Sequence, residues 1–223
     1  MSSEEFSENE DRGAEYLLTL VGRFEEMIVN SKNYFFDADE LEDIVEYYIE
    51  KNNSKKSLQA IEFAIGQYPY STIFYLRKAQ IYAATNQSQK ALEILSYVES
   101  MEPSNAELYM TKGSIYSQMG LTEQAIENFK KAAENTDEID EIYLAMAFEF
   151  ENTGKFEDAI YYLKKAISAN PENEAALYEL AFCYELNGQS EESVKYYTNF
   201  IDKYPYTTTA WFNLGVAYNR LGF

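Results

Sequence analysis

Large apolar, small and aromatic positions recur along this chain at fixed offsets, with a period of 34 residues. Counted from Ala38, the fourth position is large: Leu41, Tyr75, Tyr109, Tyr143, Leu177 and Trp211. The eighth is mostly small (Ala79, Gly113, Ala147, Ala181, Gly215), and the eleventh is aromatic (Tyr48, Tyr82, Tyr116, Phe150, Tyr184, Tyr218). Spacings of three and four place these side chains on one face of a helix. A turn follows that needs a residue tolerant of positive φ. Gly120, Gly154 and Gly188 supply it, with Asn52 and Asn86 standing in for glycine in the first two periods. A second helix then carries a small residue at position twenty (Ser57, Ala91, Ala125, Ala159, Ser193). Four residues on comes a large one: Ile61, Leu95, Phe129, Leu163 and Tyr197. The chain's four prolines, Pro69, Pro103, Pro171 and Pro205, all fall at one position of the period, where they stop the second helix.

A fixed period of this length predicts helix–turn–helix units that bury their faces against one another and not in a central core. Five complete units are expected at 38–71, 72–105, 106–139, 140–173 and 174–207, followed by a partial sixth, 208–223, that holds a first helix only. Residues 1–13 are polar and acidic and are expected to be disordered, since they bury too little apolar surface to offset ordering entropy. Residues 14–37 supply an added helix and a connector that starts at Asn30. Tyr16, Leu17, Leu20, Val21, Phe24, Met27 and Ile28 form the apolar face of that helix. One use of such a helix is to fill the array's own groove, with Leu17, Leu20 and Phe24 as anchors.

The sixth unit opens Trp211-Phe-Asn-Leu214-Gly215-Val-Ala-Tyr218, which fits the pattern W-x2-L-G-x2-Y letter for letter. With the frame shared by every unit, the chain resembles the tetratricopeptide repeat family, in its bacterial type, over residues 38–223. The resemblance implies an all-α, right-handed α-solenoid. Asp137 replaces the usual proline, Phe200 the usual alanine, and Val45 the usual small residue; each alters packing locally without challenging the fold. Such arrays close with a polar capping helix. Residues 208–220 are instead the best match to the pattern, with Trp211, Leu214 and Tyr218 lacking a second helix to pack on. The expectation is that the chain continues beyond residue 223 in a larger protein, or that its end docks on another subunit as a homodimer.

Composition narrows the function. Eighteen Lys and Arg against 38 Asp and Glu give a net charge of −20, which disfavours nucleic acid and anionic membrane surfaces and favours basic partners. No apolar run nears the roughly 20 residues a membrane helix needs, and Glu4, Glu5, Glu8, Glu10 and Asp11 are the wrong charge for a signal peptide. A cytoplasmic location is expected. With no histidine, the commonest general acid/base and zinc ligand are missing, and with Cys183 as the one cysteine no intramolecular disulfide can form. Cys183 is expected to be a buried, inert thiol. There is no P-loop, no G-x-G-x-x-G and no C-x-x-C. Acid clusters such as Asp37 to Glu40 lack calcium-loop spacing and read as solvated charge. Neither a cofactor, nor a metal, nor enzymatic activity is expected.

The resemblance places the ligand in a concave groove lined by the first helices, at positions two, five, nine, twelve and thirteen of each unit. The first unit then offers Glu42, Glu46 and Glu50, which are acidic. Further along, Leu76, Met110, Leu144, Tyr178 and Phe212 form one row, and Phe148, Phe182 and Val216 belong to the next. The Lys and Asn that a carboxylate-gripping groove requires are replaced by Glu42 and Glu46, so that ligand is not expected. The expected function is a non-catalytic protein-interaction module, an adaptor or scaffold. It would bind a peptide or protein segment with apolar anchors and a basic flank, basic or amphipathic in character. The alternative is a structural element that self-assembles through the C-terminal half-repeat or the groove.

Overall fold

The computed structural model describes the backbone of residues 3–30 and 34–223, and, within those ranges, side chains at residue 13 and from 15 onward. Among the described residues twelve helices follow one another, with no strand. The first, α1 (Ser3–Asn30), precedes the repeats. The repeat hairpins are α2 (Ala38–Glu50) with α3 (Ser54–Gln67), α4 (Thr72–Ala84) with α5 (Ser88–Met101), and α6 (Ala106–Gln118) with α7 (Thr122–Ala133). They continue as α8 (Asp140–Asn152) with α9 (Phe156–Ala169), and α10 (Glu174–Leu186) with α11 (Ser190–Lys203), before α12 (Thr208–Arg220). Successive first helices thus start 34 residues apart.

Each hairpin turns as the spacing demands. Asn52 and Asn86 take φ of 52° and 58°, and Gly120, Gly154 and Gly188 take 71°, 71° and 67°. Gly222 does the same at 84°, so the sixth unit reaches the turn position as well. Asn53, Asn105 and Asn173 accept the backbone N–H three residues on and so cap α3, α6 and α10. Asp37 and Glu40 form a reciprocal capping box that starts α2.

The helices fall into two compact units, residues 1–101 and 102–223. In the first, α1 is packed into the repeat core. Leu20, Val21, Phe24 and Met27 are buried with Phe36, Leu41, Ile44, Tyr48 and Ile61. The Phe24 ring meets Phe36 and Phe63 edge-on, at 6.1 and 5.8 Å. Leu20 and Phe24 are therefore structural, which removes the groove-filling role for them: their burial on α2 and α3 is worth about 1.5–3 kcal/mol each and leaves nothing to offer elsewhere. Tyr16 and Ile28, assigned to the same face, are exposed.

The start of α1 also differs from expectation. Its backbone is helical from Ser3, where a disordered tail is expected up to residue 13. Gly13 costs about 1 kcal/mol in a helix interior, which weakens a helix without ending it. Of the connector, residues 31–33 lie outside the described residues.

In the second unit the core gathers Leu144, Ala147, Leu163, Ala166, Leu177, Leu180, Tyr184 and Tyr197 with Ala210 of α12. The small eighth position is needed here. A Cβ at Gly113 would overlap the Phe129 ring of α7, which fills that face of α6. At the fourth position the aromatic residue also does polar work. Tyr75 and Tyr109 each donate from the phenol to the carbonyl of the proline six residues before, Pro69 and Pro103, at 3.1 and 2.8 Å. The Trp211 indole does the same to Pro205 at 2.9 Å. These bonds tie three of the four proline turns to the helix that follows; Pro171, followed by Leu177, has no such donor.

Candidate functional site

In the second unit the first helices leave large apolar side chains uncovered. Phe148 on α8 is 39% exposed, Tyr178 and Phe182 on α10 are 48% and 46%, and Phe212 on α12 is 60%. Tyr178 and Phe212 meet edge-to-face at 6.3 Å across α10 and α12. Leu186, at the end of α10, is exposed beside them in sequence. Met110 and Val216 are half-buried. Leu144 is instead buried in the core cluster of this unit, and Leu76 is equally covered in the first unit, so neither can meet a ligand. At this same position five, the leucines are buried and the aromatics Tyr178 and Phe212 stay exposed.

Carboxylates accompany the aromatic face. Glu151 of α8 and Glu179 of α10 are close enough to share a hydrogen bond. Burial, with the neighbouring Glu179 charge, raises the Glu151 carboxyl above its ordinary range. The Cys183 thiol donates to Glu151 Oε2 at 4.0 Å. Cys183 is fully buried, and that burial, followed by the charges of Glu151 and Glu179, pushes its thiol up to about 12. It is an inert thiol at neutral pH. Near the end of α10, Glu185 is ion-paired with Arg220 of α12. Two carboxylates sharing a half-buried place disfavour each other's charge, and a cation placed between them relieves both.

In the first unit, Glu42 and Glu46 are exposed and line a cleft of about 280 Å³ with Asp43, Val45, Phe74 and Arg77. Burial and the nearby Asp39 raise the Glu42 carboxyl. Arg77 reaches from α4 to Glu46, 3.7 Å between Nε and Oε2, and donates to Gln80 at 2.9 Å. The acidic zone of the first repeat is therefore already met by one cation of the second. Arg77 sits one place beyond a groove position, which is why a strict reading of those positions passes over it. Glu179 is missed for the same reason.

Among the described residues no three Cys, Asp or Glu side chains gather as a metal-binding group, and no helix is long and apolar enough to cross a membrane.

Models of the tetratricopeptide repeat family match residues 106–137 and 153–220. No curated protein matches the chain. Among solved structures, the pilus biogenesis factor PilW has a TM-score of 0.64 at 21% identity, with 82% of this chain and 89% of that one aligned. TTC0263, a tetratricopeptide repeat protein of Thermus thermophilus, has a TM-score of 0.62 at 20% identity, covering 74% and 88%. MamA has 0.60 at 21%, covering 74% and 91%. At these identities the likeness is one of fold. With the 34-residue frame, the paired helices and the two family-model matches, residues 106–137 and 153–220 carry tetratricopeptide repeats, set in an all-α repeat solenoid.

Proposed function

We propose that the protein is a non-catalytic adaptor whose second unit binds a protein segment on the face of its first helices. The observation that carries this is the exposure of Phe148, Tyr178, Phe182 and Phe212 on three successive first helices. Isolated exposed aromatics are ordinary, but a group at repeat-equivalent positions supports a docking face. The Glu151–Glu179 pair beside it favours a ligand that brings a cation. The fitting ligand is a segment with aromatic or aliphatic anchors and an adjoining Lys or Arg, held in the cytoplasm or presented to it. Glu42 in the first unit supports the same charge preference.

The test is a displayed peptide library panned against the full chain and against a Phe148→Ala/Phe182→Ala variant. The expected result is enrichment of sequences pairing Phe, Leu or Trp with Lys or Arg, lost in the variant. Enrichment unchanged by the variant would refute the assignment.

A second reading rests on α12. Trp211 and Tyr218 are 53% and 41% exposed, and a Cβ at Gly215 would meet nothing within 4 Å. That is the face which Phe129 fills on α6. Self-assembly through this face predicts a dimer in sedimentation velocity that Trp211→Ala dissociates; a monomer at all concentrations counts against it.

A further inference from the structure

We propose that the second-helix face of the second unit carries a separate cleft, which takes an acidic protein segment bearing an apolar side chain. The cleft lies between α9 and α11 and measures about 280 Å³. Lys164 and Lys203 stand at it, Asn199 adds an amide, and Tyr196, Phe200 and Tyr204 form one wall. No carboxylate lines it, in a chain whose acids outnumber its bases 38 to 18.

Three observations make this more than a gap between helices. First, both lysines are exposed, and among the described residues no ion pair holds either one. Lys164 Nζ instead lies over the rings of Tyr184 and Tyr196, at 5.2 and 5.6 Å. That arrangement orients the ammonium without neutralising it. Second, Phe200 departs from the repeat at a place held elsewhere by smaller side chains, Ala64, Val98, Ala132 and Ala166. The phenylalanine stacks with Tyr196 at 6.2 Å and 21° and packs on Tyr204 at 4.8 Å, so the departure builds the aromatic wall. Third, the volume is below the roughly 300–1,000 Å³ typical of small-molecule sites, and the cleft is open along the helices. Such a space suits one side chain of an extended segment better than a whole free ligand.

The charge of the chain as a whole opposes an acidic ligand. At physiological ionic strength, however, charges beyond about 8 Å are largely screened. The two lysines at the cleft then dominate, because the carboxylates of the chain lie outside its lining. The face is built from second helices, so an acidic segment here leaves the first-helix aromatics free. One molecule could hold two segments of opposite charge at once.

The test uses the full chain and a fluorescein-labelled peptide Glu-Glu-Phe-Glu-Glu, with Gln-Gln-Phe-Gln-Gln and Glu-Glu-Ala-Glu-Glu as comparisons, read by anisotropy. Both comparison peptides are expected to bind about tenfold more weakly, and Lys164→Gln/Lys203→Gln to lose about tenfold for the first peptide. Phe148→Ala/Phe182→Ala should leave its affinity unchanged, which separates this cleft from the first-helix face. Phe200→Ala should cost affinity for the phenylalanine peptide only. The two lysines are exposed, so their variant keeps the wild-type melting curve. Absence of binding at millimolar protein, or binding retained by the lysine variant, overturns the proposal. So does lysine-dependent binding of phosphatidylserine vesicles without peptide binding, which would assign the lysines to a lipid surface.

Discussion

Gly113 and Gly215 hold the same repeat position in the middle of α6 and α12, yet alanine should act in opposite directions at the two. In a helix interior alanine is favoured over glycine by about 0.8–1 kcal/mol, from backbone entropy in the unfolded chain and from the helix itself. At Gly215 nothing lies within 4 Å of the added methyl, so this gain should be realised in full. At Gly113 the methyl overlaps the Phe129 ring, which is 2% exposed and has no room to swing away. Overpacking of that kind costs about 1–3 kcal/mol. The net effect at Gly113 is a loss of up to about 2 kcal/mol, and the two variants should differ by about 1–3 kcal/mol. Urea denaturation followed by far-ultraviolet circular dichroism measures this, given unchanged m-values. A Phe129→Ala background should abolish the penalty of Gly113→Ala, as expected for two residues in contact. The reasoning fails if Gly113→Ala is as stable as Gly215→Ala. A destabilising Gly215→Ala would mean that the α12 face is covered in solution.

Three further predictions concern the second unit and its proposed face. Glu151→Gln should stabilise the fold near neutral pH and weaken binding of a cationic segment. A raised folded pKa means the group favours folding most below its unfolded value of 4.5, and that this is lost as pH rises through the raised value. The variant's advantage should therefore vanish in acid melts, and an advantage independent of pH would exclude this cause. Asn213, 2% exposed, donates to the Leu177 carbonyl at 2.9 Å, so Asn213→Ala should lower stability by about 1–3 kcal/mol in the same urea assay. Tyr197 also donates to that carbonyl, so Tyr197→Phe in that background should cost more than it does alone. Phe182→Ala should weaken binding of a library-selected peptide more than Glu42→Ala, because an aromatic anchor on the proposed face carries more energy than an exposed charge in the first unit; calorimetric titrations giving equal losses would contradict this.

The repeat was legible because its signals are backbone signals. A proline stops a helix and a glycine or asparagine turns it whatever packs nearby, so Pro69 and Gly120 report their roles directly. Exposure is different, because it depends on what the neighbouring helix contributes. Leu76 and Leu144 share a repeat position with Tyr178 and Phe212, yet the leucines are buried and the aromatics exposed. Phe200 could be recognised as a departure, but not as the wall of a cleft, since its partners Tyr196 and Tyr204 count only once α9 lies opposite. The polar tether at position four was hidden for a similar reason: Tyr75, Tyr109 and Trp211 fit as packing residues, and the proline carbonyl they bond is invisible in a pattern of side chains.

The chain's single tryptophan lies at the end of that series of tethers. Its indole is fixed to the Pro205 carbonyl and half open to water on α12. Excitation collected by any of the 21 tyrosines close enough to transfer energy ends at this one emitter. Its colour then reads the state of one helix: blue when something covers α12, red when the helix frays, with no label attached.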